Sequence, residues 1–377
     1  MNKPKQFNWV AGIFLISYQI LLLCSLPFYF YFSPPSWGMV TASVVLLYLA
    51  GLSITAGYHR LYSHKTYKAN NLLEALILFF GAMAVQSSAL RWSFDHRLHH
   101  AYVDTDEDPY SINKGFWYAH FGWMMEKPLP IDPKVVSDLM KNKLVMFQHK
   151  HIKLSMLITN LLAFFLVGFF LNDFLGAFVL AVWTRMFALH HFTWFINSLA
   201  HTWGAKPFSR EQSAVDNYIL CLLTFGEGYH NYHHTFANDY RNGVRWYHFD
   251  PSKWLIWGLS KLGWATDLKH MSAYAIKKKM VIEHKNLLMD QIKAYCSTKA
   301  DELEVQVIEI SDRILEKISS FSQMKEQYQR LIHDKSPREM LEARKNEIKA
   351  LKKSLKEDWR AWTALSESIL NQRSLPA

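Results

Sequence analysis

The feature that most constrains this chain is a run of 53 residues, from Gln6 to Tyr58, that contains no Asp, Glu, Lys or Arg. A transmembrane helix needs about 20 mostly apolar residues, so the run is long enough for two. The segment 33–38, with two prolines and a glycine, interrupts it. The pattern predicts membrane-spanning helices at about 9–32 and 39–58. It is too long and too broken to be only a cleaved signal peptide.

Two further apolar segments, at about 154–171 and 174–200, are separated by a turn at Asn172 and Asp173 and carry one charge, Arg185. Neither turn contains Lys or Arg, so by the positive-inside rule both turns face away from the cytoplasm. Basic residues flank the other helix ends: Lys3, Lys5, Lys150 and Lys153. We expect four transmembrane helices in two hairpins, in the inner (cytoplasmic) membrane, with both termini and the intervening segments on the cytoplasmic side.

The segment 72–90 is also apolar, but Glu74 and three polar residues at 86–88 interrupt it. If it crossed the membrane, the histidines before and after it would lie on opposite faces of the bilayer. We therefore predict a buried or interfacial helix here.

Charge divides the chain near residue 270. Residues 1–269 carry 22 Lys and Arg and 16 Asp and Glu, about 14% of positions, whereas residues 270–377 carry 20 and 16, about 33%. We expect a membrane domain at 1–269, with cytosolic cap segments at 59–153 and 201–269, and a charged helical extension at 270–377. The net charge of +10 accompanies no nucleic-acid reader motif, so it favours an anionic membrane face or anionic substrate over nucleic acid.

The extension has the seven-residue apolar repeat of packed helices. Midway, Ser336, Pro337 and Glu339 occupy the cap, first and third positions of a helix start. We expect a coiled-coil hairpin of two long antiparallel helices, and the functional alternative is self-association or docking of a redox partner. Lys317 interrupts the apolar positions, which are Ala300, Leu303, Val307, Ile310, Ile314, Phe321, Met324, Tyr328, Leu331, Leu341, Ile348, Leu355, Trp362 and Ile369.

Histidine is abundant in this chain, with 18 residues. The chain has only three cysteines, and they form no Cys-x-x-Cys pair: Cys24, Cys221 and Cys296. They predict neither disulfides nor a thiolate metal site. Eight histidines form an H-x4-H pair and two H-x2-H-H triplets: His59, His64, His96, His99, His100, His230, His233 and His234. On a helix, positions i, i+3 and i+4 are neighbours, so each triplet can aim three imidazoles at one volume. Neutral imidazole suits iron, copper, zinc and nickel. Eight ligands fit two metals, and His201 is a ninth candidate.

The remaining histidines are expected to have ordinary surface or core roles: His120, His149, His151, His248, His270, His284 and His333. His190 and His191, in the fourth span, are candidates for supporting contacts. The acidic run 104–108 lacks the glycine and glutamate that a calcium loop needs at its sixth and twelfth positions. It predicts a structured turn beside the first triplet, where it could support a histidine or dock an electron donor.

In order and spacing, these motifs resemble those of the integral-membrane fatty acyl desaturases, specifically the acyl-CoA delta-9 (stearoyl-CoA type) branch, over roughly residues 5–265. The matching segments are 57–64, 95–100, 104–106, 197–201 and 226–234. The resemblance implies an all-α fold with four transmembrane helices and a cytosolic helical cap. It also implies a di-iron centre held by the nine histidines, with Asn197 reaching one metal through water.

The resemblance further implies a narrow, bent tunnel for an acyl chain. Four residues match positions that shape the bend: Gln86, Trp92, Thr193 and Trp194. Asp95 and Lys127 match positions that hold the headgroup. Ser87 and Phe94 depart from the Asn and Arg that acyl-CoA enzymes of the family tend to carry there, which leaves the carrier of the acyl chain open between CoA, a carrier protein and a lipid.

By this resemblance the protein inserts a cis double bond, at delta-9, into a long saturated acyl thioester, with two iron ions, O2 and two electrons. The chain has no His-Pro-Gly-Gly haem motif, so the electrons are expected from a separate ferredoxin-like or haem donor with its reductase. A membrane di-iron hydroxylase or ketolase is the nearest alternative, because similar histidine sets insert oxygen. A metal-binding membrane scaffold without activity is the second.

Overall fold

The computed structural model describes residues 6–295 and 299–371. It consists mainly of helices and divides into two compact units. The first contains the chain up to Lys206 together with Glu211–His270, and the second contains Pro207–Arg210 and the chain from Met271. Lys3, Lys5 and Cys296, which entered the sequence analysis, lie outside the described residues.

The helices of the first unit are α1 (Trp9–Phe32), α2 (Trp37–Ser63), α3 (Asn71–Met83), α4 (Ala89–Tyr102), α5 (Phe116–His120), α6 (Ser137–Met140), α7 (Lys143–Leu171), α8 (Phe174–His201), α9 (Tyr218–Leu223), α10 (His230–Thr235) and α11 (Pro251–Lys261). Short 3₁₀ turns occupy Ile112–Lys114 and Gly122–Met125. Strands β1 (Lys68–Ala69) and β2 (Ala265–Thr266) pair antiparallel, with Lys68 opposite Thr266.

Within the described residues, four helices are long and apolar enough to cross a membrane: α1, α2, α7 and α8, with 24, 27, 29 and 28 residues. Their outer faces carry exposed apolar side chains such as Leu23 and Phe169, each 73% exposed. Such surfaces are normal only where lipid covers them. The prediction of a mainly helical, multi-pass membrane protein is confirmed. Helix α7 begins at Lys143, well before the predicted span at 154.

Helix α3 corresponds to the predicted non-spanning segment. Its 13 residues extend about 20 Å, less than the ~30 Å of a bilayer core. It packs closely on α2 because glycine occupies the contact: a Cβ at Gly81 would lie 2.5 Å from Cε1 of Tyr58, and one at Gly57 would lie 2.3 Å from Cγ2 of Ile77. Any larger residue at either position would push α3 away from the helix that carries the first histidine pair.

Helix α7 has a break at His151, where φ is −111° and ψ is 20°. The part before the break contains Gln148, whose buried side chain joins three elements. The Gln148 Nε2 donates to the Leu78 carbonyl at 2.9 Å and to the Tyr58 hydroxyl at 2.5 Å, while its Oε1 accepts from the Ala89 amide at 2.9 Å. This side chain therefore ties α2, α3 and α4 together beside the histidines.

The second unit has three helices: α12 (Ala273–Tyr295), α13 (Ala300–His333) and α14 (Arg338–Asn371). The last two are the helices that the seven-residue repeat predicts, and α12 is an addition that the repeat analysis omitted. Lys317, which interrupts the repeat, donates to Asp358 at 2.5 Å and to Ser354 at 2.6 Å across the α13–α14 contact. The shared core contains Leu288, Ile314 and Trp362 among others, so each helix covers an apolar face of the other two.

Candidate metal centre

The nine predicted histidines lie in two groups, and within each group the ligand nitrogens are within 4.8 Å of one another. We call them the five-histidine group and the four-histidine group. The five-histidine group contains His59, His64, His96, His100 and His233. The four-histidine group contains His99, His201, His230 and His234.

The Nε2 atoms of each group converge on one point. In the five-histidine group, the His64–His96 and His59–His233 Nε2 distances are 2.8 and 3.0 Å. In the four-histidine group, the His201–His230 distance is 3.1 Å. Nitrogens about 2.1 Å from one cation and at right angles to each other lie about 3.0 Å apart. The spacing in both groups therefore fits a metal ion bound by imidazoles.

Each triplet is divided between the two groups, which differs from the expectation that a triplet serves one volume. On an α-helix, i and i+4 are about 40° apart around the axis, whereas i+3 lies about 60° away on the other side. Accordingly His96 and His100 join the five-histidine group while His99 joins the other. On α10 the arrangement is reversed, because His230 and His234 serve the four-histidine group and His233 the five-histidine group.

The H-x4-H pair depends on a π-helical stretch, Ser53–Ser63, at the end of α2. On an α-helix, residues five apart point about 140° away from each other. Here the His64 amide donates to the His59 carbonyl at 3.1 Å, an i+5 bond that widens the turn. The two imidazole centroids lie 4.8 Å apart as a result.

Acidic residues support the four-histidine group through the Nδ1 atoms. The His99 Nδ1 lies 2.9 Å from a carboxylate oxygen of Asp108. The His201 Nδ1 lies 2.6 Å from the Ser213 hydroxyl, and both the amide and the hydroxyl of Ser213 bond to the carboxylate of Asp104. A carboxylate can only accept, so Nδ1 of His99 carries the proton and Nε2 keeps its lone pair for a metal. The acidic turn of the sequence analysis thus contacts this group.

Different partners support the five-histidine group. The His59 Nδ1 lies 3.0 Å from an oxygen of Glu227, and the His96 Nδ1 lies 3.1 Å from the Tyr110 hydroxyl. Glu227 is also bonded by Arg60, whose Nη2 lies 2.9 Å from Glu227 and 3.0 Å from Asp250. Burial alone would raise the pKa of the Glu227 carboxyl, but His59 and Arg60 hold it below its usual value. This carboxylate therefore stays ionised beside the Nδ1 of His59.

The surroundings keep most of these histidines neutral, as metal ligands must be. Burial, and then the neighbouring imidazoles, hold the pKa well below its usual value for His64, His96, His100, His230, His233 and His234. The facing Nε2 atoms of neutral imidazoles lie about 3 Å apart, and where both carry lone pairs these repel one another. A cation between them removes that repulsion, so the donor set fits a metal in each group.

Asn197 lies at the end of the regular part of α8, where the backbone changes direction. Ser198 has φ −107° and ψ −69°, and a 3₁₀ turn over Leu199–His201 follows. The turn delivers His201 to the four-histidine group, while Asn197 lines a cavity beside the metal centre.

The cavity has a volume of about 540 Å3, within the usual range for a small-molecule site. All six predicted substrate residues line it: Gln86, Trp92, Asp95, Lys127, Thr193 and Trp194. The Gln86 amide donates to the Thr193 hydroxyl at 2.9 Å, which joins the turn after α3 to α8. Of the nine histidines, all of them described, His59 and His96 line the cavity, and both belong to the five-histidine group.

Charged groups lie at one part of the cavity wall. Arg91 donates to Asp95 at 2.8 and 2.5 Å, and burial raises the pKa of Asp95 to about 6 although Arg91 opposes the shift. Exposed Lys127 donates to Gln6 at 2.5 Å. Of the two departures noted in the sequence, Ser87 lines the cavity, whereas Phe94 is buried in the core beneath the Arg91 guanidinium.

Several histidines outside the two groups have clear contacts. The His149 Nδ1 lies 2.7 Å from the Ser88 hydroxyl, and His149 lines the cavity. His120 lies between Ser198, at 2.9 Å, and His191, at 3.1 Å. The Nε2 of His190 lies 2.9 Å from the Ala84 carbonyl.

No role was assigned from the sequence to Glu227, Tyr110, Ser213 or Arg60. Two of them lie within the segments that match the family: Glu227 directly follows Gly226, and Arg60 directly follows His59. An acidic residue beside a histidine motif is the signal that could have identified Glu227. Ser213 carries no such signal, because its position depends on the loop after α8.

Comparison with known proteins supports the resemblance to the fatty acyl desaturases. Residues 35–265 match the fatty acid desaturase family. The chain is 39% identical over 292 residues to acyl-CoA desaturase 1 of Saccharomyces cerevisiae, covering 74% of this chain and 55% of that one. It is 38% identical to a probable acyl-CoA desaturase of Schizosaccharomyces pombe, covering 82% and 64%, so it spans less than two thirds of either relative. It is 33% identical to an sn-1 stearoyl-lipid 9-desaturase of Anabaena variabilis, covering 71% of this chain and 96% of that one. The chain therefore belongs to the fatty acid desaturase family.

Proposed function

We propose that this protein is an O2-dependent desaturase that introduces a cis double bond, at the delta-9 position, into a long saturated acyl chain carried as acyl-CoA. The observation that carries this proposal is the position of the cavity against the five-histidine group, where His59 and His96 form part of its wall. The names of the relatives, which are acyl-CoA desaturases and a stearoyl-lipid 9-desaturase, support the same reaction.

The metals we assign are two iron ions, one in each histidine group, with Asn197 reaching one of them through water. When bound, they supply the reduction of O2 and the oxidising power needed to remove hydrogen from an unactivated methylene. In the overall reaction, one O2, two electrons and two protons are consumed, the acyl chain loses two hydrogen atoms, and two waters are released.

The residues of the chain place the substrate and exclude water. The cavity wall is largely apolar and aromatic, and it holds an alkyl chain in a fixed conformation with few competing positions. Trp92 stacks on His96 with centroids 4.9 Å apart, so the wall of the cavity and the ligand set are in direct contact. Gln86 and Thr193, which also line the cavity, are joined by a mutual hydrogen bond.

The polar end of the substrate is assigned to the part of the cavity that contains Arg91, Asp95 and Lys127. A cation there suits the phosphates of CoA. A lipid is the alternative carrier of the acyl chain, because the protein is 33% identical to an sn-1 stearoyl-lipid 9-desaturase.

We assign the catalytic activity to residues 1–269 and describe residues 270–377 as an added helical extension. In this proposal the protein lies in the inner membrane, with both termini and the metal centre on the cytoplasmic side. Electrons come from a separate ferredoxin-like or haem protein with its reductase.

The test uses purified, iron-loaded full-length protein with a reductant and O2, and offers stearoyl-CoA, stearoyl carrier protein or a stearoyl lipid, each with a labelled acyl chain. We expect stearoyl-CoA to give an alkene lighter than the substrate by two hydrogen atoms, with the double bond at delta-9 by mass spectrometry. A product heavier by one oxygen atom would identify a hydroxylase. Bound iron without product from any carrier would favour the scaffold.

A further inference from the structure

The turn between α3 and α4, residues 84–88, has an unusual backbone. Val85 and Ser87 both have positive φ, at 56° and 71°. Residues other than glycine rarely adopt this conformation, and it is least favourable for a β-branched side chain such as Val. Such a turn persists only when the surrounding structure holds it. Gln86, between these two residues, lines the cavity and donates to Thr193.

Arg185 is one of the groups that hold the turn. It lies in α8, is 2% exposed, and is the one charged residue of the fourth predicted span. Its Nη1 donates to the Met83 carbonyl at 2.8 Å, its Nε to the Ala181 carbonyl at 3.0 Å, and its Nη2 to the side-chain oxygen of Asn160.

All the described hydrogen-bond partners of Arg185 are neutral. Its counter-charge is the end of α3: the last carbonyls of a helix have no partner within it and carry its negative dipole. A charged residue inside a membrane protein is costly and usually has a function. Arg185 is thus placed to cap α3 where the strained turn begins.

Further contacts from α7 and α8 hold this turn and the last residue of α3 from both sides. The His190 Nε2 bonds to the Ala84 carbonyl at 2.9 Å, from α8. From α7, the His149 Nδ1 lies 2.7 Å from the Ser88 hydroxyl, and Asn160 also donates to the Met83 carbonyl at 3.3 Å. These polar atoms bond to the turn or to Met83, the residue before it, and not to the metal ligands.

We propose that Arg185 and His190 are positioning residues that hold the strained 84–88 turn in shape, and that the turn determines which carbon pair of the acyl chain reacts. This inference rests on the proposed desaturase function. The turn fixes the place of Gln86 in the cavity wall, and the Gln86–Thr193 hydrogen bond fixes the shape of that wall. If the turn relaxes, the chain gains alternative positions along the cavity while the two histidine groups remain intact.

The first test compares the product isomers of Arg185→Met with those of the wild type. Because a buried hydrogen bond from a charged group is lost, we expect the ratio of the main double-bond isomer to its neighbours to fall about tenfold. Iron per protein should stay at the wild-type value. Arg185→Lys should restore part of the ratio, since an ammonium can still donate to the Met83 carbonyl. Lys150→Met, which removes an exposed cation from α7, is the matched control and should change neither quantity.

The second test does not depend on whether the Arg185→Met protein folds correctly. Glycine adopts positive and negative φ about equally, so Val85→Gly should fold and retain iron, but the turn becomes free to leave its observed conformation and the isomer distribution should widen. An unchanged isomer ratio in both Val85→Gly and Arg185→Met, at normal iron content, would overturn the proposal. Loss of iron in Arg185→Met together with an unchanged ratio in Val85→Gly would also overturn it.

A third measurement separates failure of this inference from failure of the proposed function. Amide hydrogen exchange of the peptide containing residues 84–88 needs no substrate. We expect amide exchange of this peptide in Arg185→Met to be at least about tenfold faster than in the wild type, with no change in α10. The reason is that the turn opens more often when the hydrogen bond from Arg185 is lost. Unchanged exchange would exclude the positioning role even if the wild-type protein proved not to be a desaturase.

Discussion

The five-histidine and four-histidine groups differ in what surrounds them. The four-histidine group has one imidazole fewer, but Asp108 supports it directly, and among the described residues the Asp108 carboxylate accepts only backbone amides besides His99. The five-histidine group is supported by Glu227, whose charge is shared with Arg60, and by the neutral Tyr110. The group with fewer ligands therefore has more uncompensated negative charge nearby. Ligand number and nearby charge are two ways to stabilise a dication, and each group relies more on one of them.

The largest expected effect comes from removing a ligand, and adjacent residues allow a direct comparison. His233 serves the five-histidine group and His234 the four-histidine group. Either change to Ala should lower turnover by more than about a hundredfold, above the loss usual for partners behind the ligands. His234→Ala should also retain less metal than His233→Ala, because it leaves three imidazoles rather than four. Metal per protein and turnover, measured on both variants, give the comparison.

The control for these variants is His333→Ala, at a side chain that is 90% exposed in the second unit. It should keep both metal content and turnover. Equal metal loss in His233→Ala and His234→Ala would show that the two groups do not differ in ligand redundancy.

The next effect tests the role of charge. Asp108→Asn keeps an oxygen that can accept from His99 but removes the negative charge. Metal affinity should fall about 10- to 100-fold, and only in the four-histidine group. Metal titration should then show one weakened step and one unchanged step. Glu107→Gln, at an exposed residue of the same turn, is the matched control. If both steps weakened equally, Asp108 would support the whole centre rather than one group.

Removing Ser213 should have a smaller effect than removing the Asp108 charge. The Ser213 hydroxyl bonds to both His201 and Asp104, so Ser213→Ala removes the hydrogen-bonded link between them and leaves the Asp104 carboxylate in place. The loss of one such hydrogen bond is worth about 1 kcal/mol, or roughly a fivefold change in affinity in the four-histidine group. Titration under the conditions used for Asp108→Asn measures it. A loss as large as that of Asp108→Asn would mean that Asp104, rather than Asp108, is the main source of negative charge.

Much of this site could be predicted from the sequence, because motif order and spacing identify the histidines, and apolar runs identify the four long helices. The division of each triplet was missed. It follows from the angles between residues around the helix axis, whereas the prediction rested only on i, i+3 and i+4 being neighbours. The H-x4-H pair was identified, but the π-helix that brings its two imidazoles together was not. Nothing in the composition of Ser53–Ser63 indicates a π-helix.

Other features depend on contacts between distant segments. The strained turn at 84–88 contains no glycine or proline, so no local signal predicts it; contacts from α7 and α8 hold it in shape. Helix α12 was missed for a related reason. Its apolar positions, which include Val281 and Leu288, have a partner only once α13 and α14 have formed an apolar face.

The smallest effect is expected at Tyr110, and it tests the comparison most closely. The Tyr110 hydroxyl lies 3.1 Å from the Nδ1 of His96, while its ring stacks on His99 with centroids 4.5 Å apart. Tyr110→Phe keeps the stacked ring and removes only a neutral hydrogen bond, worth about 0.5–1.5 kcal/mol. Four other imidazoles remain in that group with their own contacts intact, so the loss should lie at the low end of this range, about two- to threefold in metal affinity and smaller than for Ser213→Ala. If Tyr110→Phe instead released as much metal as Asp108→Asn, a neutral partner would equal a charged one, and the two groups could not be distinguished by the charge around them.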